Sequence, residues 1–551
     1  MFNKLCKLNS KFENYQSKAP EWGAFLIYVI SHIVLCIYHE PWYDECVAWM
    51  ISKYTSVKDI IFYVPHYEGH PPLWHLILKL FATFNMDFHV ALSLLVILFS
   101  SAAVYLILFF SPFRRIIKLV FPFTYFIFYQ YGVISRPYCM MMLAFCLLAV
   151  FYKNKNEKPV RYIATLAFLC MTSAYGIVLA GGISAVWMIE VVREYWTTDG
   201  KSIIKEKIIA DKRILGMLLL FVLALLIIFE IMPNKGNYAV ENVCLSGSNE
   251  EAINKIIYCL LCNVPDSFCY DVFKSFGIDF AIVAMVGCVV LLVIFFYGIK
   301  KRTALLFFIP YILYELFASL VYMLLHHTGV VQLFLIFWIW ISVEKQCTEN
   351  DNKYNHIILD KRLAVIGKAA VIYALLISVY YSSRSSVCDI KRPYSEGKNV
   401  ANFIEMNHLE DYKIMGEWLV NDKVTSINIS DVYAMLPYLE DNIFSYGEYG
   451  MDGKYSLHVT LSEAETEAEF SRWREIGEPD IIIGEVPFYD VFVGSDTKFT
   501  QDYRYIYSDI GEMAWKDTSS QSALGVYMRT DLADELGFEA IPKPMIVNIN
   551  R

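Results

Sequence analysis

The chain has 551 residues, of which 56% are apolar and only 19% are charged, and its mean hydropathy is +0.41. This composition excludes a soluble multidomain protein and places most of the chain in a lipid bilayer. Residues 389–551 hold 30 Asp and Glu against 14 Lys and Arg, while the whole chain has a net charge of −9. The sequence therefore predicts a mildly basic membrane part followed by an acidic soluble domain. It contains no basic patch that would indicate a nucleic-acid partner.

Apolar segments long enough to cross a bilayer of roughly 30 Å recur from residue 22 onwards. The first is not followed by a small-residue cleavage motif, so we expect a retained span and not a signal peptide. Pro71–Phe84 is apolar, but at about 14 residues it suits an interfacial helix better than a span. About eleven spans are predicted, near residues 22–39, 89–111, 117–134, 137–152, 160–175, 177–194, 213–232, 277–298, 303–324, 328–344 and 362–382.

The orientation follows from Lys and Arg, which collect in cytoplasmic loops. If Pro71–Phe84 does not cross, every basic run of the membrane part falls in the cytoplasm together with the N-terminal lysines. We therefore expect a multi-pass protein of the cell membrane, with a cytoplasmic N-terminus, a membrane module over residues 1–384 and an extracytoplasmic domain over 385–551. The segments then expected outside are loops 40–88 and 233–275 and the turns at 135–138, 175–176 and 326–327.

The outer segments carry most of the ionisable and aromatic side chains that could form a site. Glu40, Asp44 and Glu45 stand among aromatic residues at the mouth of the first span, an arrangement that an interfacial aromatic belt would also produce. Polar groups gathered at one membrane boundary nevertheless indicate a functional site. The remaining outer candidates are Glu68, His70, Arg136, Tyr138, Tyr175, His326 and His327.

This set offers carboxylates that could act as a general base and Arg and His side chains that could hold an anion. The chain has no phosphate-binding P-loop, no GxGxxG motif, no HExxH motif and no GxSxG motif, so nucleotide hydrolysis, dinucleotide redox chemistry and the corresponding hydrolases have no support. A membrane-borne donor with an anionic leaving group would suit a site outside the cytoplasm.

Three short motifs in order resemble the GT-C membrane glycosyltransferases, in particular the bacterial branch related to protein O-mannosyltransferases and lipid A aminoarabinose transferases. They are Trp42-Tyr43-Asp44-Glu45, Gly69-His70-Pro71-Pro72-Leu73 and Ser135-Arg136-Pro137-Tyr138. The resemblance covers roughly residues 20–345. It implies a polytopic α-helical protein that transfers a sugar from a polyprenyl-phosphate carrier to a glycan, lipid or protein acceptor on the outer face.

The resemblance also implies roles for single residues. Asp44 falls on the family's general base, and Glu45 would bind or orient a substrate. Arg136 and the His326-His327 pair would neutralise the departing lipid phosphate. The remaining candidates Glu68, His70, Tyr138 and Tyr175 would shape the substrate site. No cofactor is certain; a divalent metal could be held by Glu68, His70 and His327, although the spacing shows no fixed ligand pattern.

Two classes other than an enzyme stay open on the sequence: a transporter or flippase of lipid-linked glycans, and a non-catalytic cell-envelope assembly protein. Transporters tend to place ionisable residues at mid-membrane and to show repeated halves, whereas the polar residues here gather at one boundary and no repeat is visible. The enzyme is therefore the favoured interpretation.

The C-terminal 167 residues are predicted as a small α/β domain that docks an acceptor or has a structural role. The thirteen cysteines of the chain form no metal-ligand pattern, but loop 233–275 holds a group that could form one or two disulfides outside the cytoplasm. That group is Cys244, Cys259, Cys262 and Cys269. The domain elements are predicted over Gly397–Met406, Lys413–Trp418, Val424–Ile429, Val432–Leu439, Ser462–Ile476, Asp480–Gly484 and Gly525–Arg529.

Overall fold

The computed structural model gives a helical protein with a small sheet near its C-terminus. It describes residues 16–198, 211–234, 249–275, 280–345, 361–416, 431–440, 443–444, 464, 468, 471, 475–485, 502–516 and 518–545. The helices up to residue 198 are α1 Ala19–Tyr38, α2 Tyr43–Tyr54, α3 Val57–Phe62, α4 Pro65–Glu68, α5 Leu73–Thr83, α6 Phe88–Phe110, α7 Arg115–Val120, α8 Tyr138–Tyr152, α9 Pro159–Cys170 and α10 Ala174–Thr198. The later elements are α11 Lys212–Ile231, α12 Asn249–Ser275, α13 Phe280–Lys301, α14 Ala304–Leu320, α15 Thr328–Glu344, α16 Lys361–Lys391, α17 Gly397–Met406, β1 Ile414–Gly416, β2 Ile481–Glu485, β3 Tyr503–Trp515, β4 Thr518–Arg529 and α18 Thr530–Leu536.

Two compact units divide these elements. The first unit holds most of the apolar helices, and the second contains the loop over residues 40–88 and the C-terminal residues. The ranges are Met1–Val34, Leu95–Phe229 and Cys244–Ser383 for the first unit, and Leu35–Leu94, Glu230–Val243 and Arg384–Arg551 for the second.

Five helices are long and apolar enough to cross a membrane: α1, α6, α10 up to Trp196, α11, and α13 from Ala281. Helix α11 has the highest mean hydropathy of the five, 3.0, yet only 28% of it is buried, and side chains such as Leu219 and Phe229 are more than half exposed. Such a continuous apolar surface requires an apolar solvent. Four further predicted spans are apolar helices of 12 to 17 residues, α8, α9, α14 and α15, and the count of eleven stays a prediction.

The predicted span over residues 117–134 is corrected by the structure, because it is not one helix. Helix α7 ends at Val120, a 3-10 turn follows over Phe121–Phe123, Thr124 is extended, and a π-helical turn covers Phe126–Gln130. Pro122 lies in the 3-10 turn and has no N–H to donate to a helix. Backbone of this kind is tolerated at membrane depth only where protein surrounds it, and Phe126 and Ile127 are fully buried.

Side chains of α1 satisfy carbonyl groups of this irregular segment. The Tyr28 hydroxyl donates to the carbonyl oxygen of Ile127 at 3.0 Å, and His32 Nε2 lies 2.7 Å from the carbonyl oxygen of Phe128. Both α1 side chains are completely buried. The polar residues of the first helix thus complete hydrogen bonds that a regular span would have made within itself.

Helices α10 and α14 approach each other closely at Gly182. A Cβ atom at this glycine would lie 2.6 Å from Pro310 Cα, whereas a Cβ at the neighbouring Gly181 would meet nothing within 4 Å. We expect Gly182→Ala to lower the free energy of unfolding by about 1–3 kcal/mol, since the two backbones must separate. Gly181→Ala is the matched control. Thermal unfolding of the purified variants in detergent measures both, and equal effects would contradict the close helix contact.

Loop 233–275 contains the long helix α12, which packs against α13, α14 and α15. Of its cysteines, Cys259 and Cys262 are buried free thiols, while Cys244 and the side chain of Cys269 lie outside the described part of the chain. The expected disulfides therefore do not involve Cys259 or Cys262.

The C-terminal residues of the second unit form a mixed four-stranded sheet with the strand order β1-β2-β4-β3. Strand β2 pairs parallel with β1 and antiparallel with β4, and its residues Ile481–Ile483 are buried on both faces. Helix α17, confirmed over the predicted range, packs on β3, where the rings of Phe403 and Tyr507 stack at 4.1 Å. The predicted α/β character is confirmed by these elements, whereas Val424–Ile429 lies outside the described residues.

Candidate functional site

The candidate residues fall in both units, and each group is described by itself. In the second unit, Asp44 and Glu45 occupy the first turn of α2, which begins after Trp42. Successive helical residues point about 100° apart, and the two carboxylates accordingly meet different surroundings. Glu45 is completely buried, whereas Asp44 is only half-buried.

Glu45 is held by the backbone of Trp42 and by His39, and His39 in turn contacts Asp389. Glu45 Oε2 accepts the Trp42 backbone N–H at 3.2 Å and lies 3.1 Å from His39 Nε2. The other ring nitrogen, His39 Nδ1, lies 3.0 Å from Asp389 Oδ2 near the end of α16. One buried imidazole thus bridges two buried carboxylates, one from the loop over residues 40–88 and one from the end of α16.

The charge state of His39 follows from these neighbours. Burial alone would lower the pKa of the imidazole, but the charges and hydrogen bonds of Asp389 and Glu45 outweigh burial and raise the pKa to about 10. His39 is therefore an imidazolium at neutral pH. Glu45 accordingly contributes to an internal ion pair, and its predicted role in binding a substrate stays a prediction.

A second acidic residue of the loop, Glu40, contacts the C-terminal residues. Lys398 Nζ lies 3.6 Å from Glu40 Oε1, and Asn399 donates to Asp509 at 2.9 Å. Burial raises the pKa of the Glu40 carboxyl, Lys398 lowers it and Asp509 raises it further. The short segment between α1 and α2 is thus attached to later residues of the second unit at two positions, His39 through Asp389 and Glu40 through Lys398.

Sequence reasoning did not identify His39, Asp389 or Lys398. His39 directly follows α1 and precedes the carboxylates of Glu40, Asp44 and Glu45, which is a weak signal for an ion pair. Asp389 and Lys398 are about 350 residues further along the chain and carry no local signal. Only the folded chain brings these residues together.

Glu68 and His70 flank a sharp turn in the loop over residues 40–88. Helix α4 ends at Glu68, and Gly69 follows in the left-handed conformation with φ +63°, which a residue with a Cβ rarely adopts. Both side chains are partly buried. Across the part of the chain that the structure describes, no three His, Cys, Asp or Glu side chains come together to hold a metal ion. The described residues therefore give no support to the metal site considered for Glu68, His70 and His327.

In the first unit, the structure brings together four of the predicted residues. The ring of Tyr138 lies 5.8 Å from that of His326 and 5.9 Å from that of His327. The Tyr175 ring lies 4.6 Å from the His327 ring on another side. Tyr138 begins α8 and Tyr175 lies in the first turn of α10, while the two histidines precede α15. The cluster is thus formed by the starts of α8 and α10 and by the short turn before α15.

His327 has a defined ring tautomer in this cluster. The backbone N–H of Leu324 donates to His327 Nδ1 at 2.8 Å, and the Tyr175 hydroxyl oxygen lies 3.3 Å from the same nitrogen. Because Nδ1 accepts a hydrogen bond, the ring proton lies on Nε2. His327 is therefore a neutral hydrogen-bond donor in this arrangement. A protonated His327, as expected for a group that neutralises a phosphate, would place two N–H groups against each other.

Arg136 lies just before Tyr138, between the buried residues Ser135 and Pro137, and its side chain is partly exposed. Among the predicted anion-binding residues, Arg136 alone has a side chain that stays charged at every physiological pH. In sequence, Arg136 is two residues from Tyr138, whose ring lies in the cluster with His326 and His327.

Comparison with models of protein families, with characterised proteins and with solved structures finds no match to this chain.

Proposed function

We propose that the chain is a glycosyltransferase of the GT-C type, which transfers a sugar from a polyprenyl-phosphate carrier to an acceptor on a glycan, lipid or protein outside the cytoplasm. The observation that carries the proposal is the contrast between two adjacent carboxylates. Glu45 is buried in an ion pair with His39, while Asp44 is half-buried at the start of α2. A rigidly held helix start with one accessible carboxylate is what a general base requires.

In the proposed reaction Asp44 takes the proton from the acceptor hydroxyl as that oxygen attacks the anomeric carbon of the sugar. The new C–O bond forms on the face opposite the phosphate, so the anomeric configuration inverts. The bond between the anomeric carbon and the phosphate oxygen breaks, and its electron pair leaves with the polyprenyl phosphate. The proton on Asp44 is then released to water, and the phosphate has gained one negative charge.

Because the departing phosphate gains negative charge, the site must supply positive charge or hydrogen-bond donors around it. Preorganised donors and cations aimed at developing charge supply a large part of enzymatic rate enhancement. Arg136 is proposed to supply the positive charge, and the Nε2–H of His327 a neutral hydrogen bond. This division differs from the expectation of two charged histidines, and it follows from the bond between Leu324 and His327.

The test uses the purified full-length chain with a polyprenyl-phosphate-linked hexose or pentose and, in parallel, with a nucleotide-linked sugar. The expected result is release of polyprenyl phosphate and formation of a glycosylated product from the lipid-linked donor alone. The same lipid in vesicles with a labelled headgroup tests the flippase alternative. If the lipid moves between leaflets and the donor is not consumed, the protein is a transporter and not an enzyme.

The proposal also needs Asp44 outside the cytoplasm, and the exposed residues allow this to be measured. We expect a membrane-impermeant thiol reagent to label Asn85→Cys and Asn407→Cys on intact cells above the wild-type level. Lys158→Cys, which is also exposed but belongs to a basic run, should react only after permeabilisation. Labelling of Lys158→Cys on intact cells, with protection of Asn85→Cys, would reverse the orientation and remove the basis for an outer active site.

A further inference from the structure

A polar cavity of about 450 Å³ lies in the first unit, at the ends of α8 and α15 that are remote from the histidine cluster. Its wall is formed by the last residues of these two helices, by the turn after α8 and by Glu190 of α10. Tyr138 and Tyr152 lie at opposite ends of α8, roughly 20 Å apart along the helix axis. The cavity is therefore distinct from the cluster that contains Tyr138.

A buried lysine dominates the cavity. The side chain of Lys155 is only 7% exposed, its Nζ lies 2.6 Å from Glu190 Oε2, and the same ammonium lies 3.8 Å from the centre of the Tyr152 ring. The turn that carries it is fixed by Trp187 Nε1, which donates to Asn156 Oδ1 at 2.8 Å. Lys155 is thus a preorganised cation.

The neighbours of Lys155 do not fully compensate its charge. Burial lowers the pKa of its ammonium to about 8, and the attraction of Glu190 offsets only part of that effect. A second anion in the cavity would supply the missing compensation.

Cations outnumber carboxylates around this cavity. Lys153 and Lys345 line it together with Lys155, against Glu190 and Glu344. Glu190 is engaged by Lys155, and Glu344 accepts a hydrogen bond from Trp340 at 3.2 Å.

Two more cations belong to the segment that contacts Lys345. Lys301 Nζ donates to the Lys345 carbonyl, and Lys345 Nζ donates to the Arg302 carbonyl, both at 3.1 Å. An ammonium has three protons, and among the described residues Lys345 donates one of them, to Arg302.

We infer that this cavity binds a phosphate-bearing anion, with Lys153, Lys155 and Lys345 as its ligands. Ammonium groups bind phosphate oxygens as point charges, and basic pockets between membrane helices suit anionic headgroups. The volume accommodates a glycerophosphate group. The phosphate comes either from a phospholipid headgroup or from a soluble phosphate ester, and the inference is independent of the proposed sugar transfer.

The test uses the full-length protein in detergent, with native mass spectrometry of retained phosphatidylglycerol and phosphatidylcholine as the readout. We expect wild-type protein to retain phosphatidylglycerol in preference, and Lys153→Gln/Lys345→Gln to bind it about tenfold more weakly. The control is Arg114→Gln/Lys158→Gln, which removes the same charge from exposed positions that do not line the cavity. The control should keep wild-type affinity, and both proteins should keep the wild-type melting temperature because the buried pair of Lys155 is untouched.

Added glycerol phosphate identifies the source of the anion. If millimolar glycerol phosphate displaces the lipid from wild-type protein, the ligand is a soluble phosphate ester, and if it does not, the ligand is a lipid headgroup; both outcomes support a phosphate site. Equal retention of the two lipids, or equal loss of phosphatidylglycerol in the two double variants, would show only diffuse attraction and overturn the inference.

Discussion

The Asp44→Asn variant is expected to transfer sugar about 10² to 10⁴ times more slowly than the wild-type protein, because an amide cannot take the acceptor proton. The side chain keeps its size, and the buried pair of Glu45 and His39 keeps both of its partners. The fold should therefore be unchanged apart from roughly 0.3–1 kcal/mol of lost interaction with the helix dipole. The measurement is the initial rate of polyprenyl phosphate release at saturating donor.

Asp59→Asn is the matched control for this experiment. Asp59 is also an aspartate in the first turn of a helix of the loop over residues 40–88, α3, but it is exposed and interacts with Ser56. Its replacement removes the same charge from the same loop and should leave the rate within a factor of about two. A wild-type rate for Asp44→Asn, or an equal loss in the two variants, would remove Asp44 as the base.

The His39→Gln variant is expected to lose about 3–5 kcal/mol of unfolding free energy, because removal of one partner leaves buried carboxylates without their cation. Both Glu45 and Asp389 depend on this imidazole. Thermal or denaturant unfolding of the purified protein in detergent measures the loss. The control is Lys398→Gln, which removes the partner of Glu40 from a pair in which the lysine is 46% exposed. Because the Lys398 ammonium is exposed and lies 3.6 Å from Glu40, we expect this pair to contribute only about 1 kcal/mol, so comparable losses in the two variants would contradict the special role of His39.

The stability that His39 contributes should also depend on pH. Its pKa rises on folding from an ordinary value of 6.5 to about 10, so the folded state binds the proton more tightly than the unfolded state. The contribution is then complete below pH 6.5 and is lost as the pH rises through about 10. We expect the difference in unfolding free energy between wild type and His39→Gln to be largest at about pH 6.5 and to shrink as the pH rises towards 10. A difference that is constant over this range would show that His39 is not charged in the folded protein.

Local sequence patterns were sufficient to predict much of the helical part of the fold. The ends of α1, α8 and α17 lie within a few residues of their predicted positions, because apolar length, Pro137 and the amphipathic pattern of 397–406 are local signals. The hairpin of β3 and β4 was largely missed. Its strands alternate polar and aromatic residues irregularly and gain their stability from pairing with each other and with β2.

The candidate residues show the same division between local and long-range information. The sidedness of charge grouped Tyr138, Tyr175, His326 and His327 in advance, and these side chains do lie together in the first unit. What each side chain does there could not be read from its neighbours in sequence. The tautomer of His327 depends on one backbone N–H, and the ion pair of Glu45 depends on His39, which also binds Asp389.

The broken segment between α7 and α8 has a consequence for how the protein is made. A hydrophobic helix can leave the translocation machinery sideways into lipid, since its backbone hydrogen bonds are already complete. Residues 121–130 cannot do so, because carbonyl groups there are satisfied by Tyr28 and His32 of α1. We therefore expect this stretch to become stable in the membrane only when α1, which comes about 100 residues earlier in the chain, packs beside it.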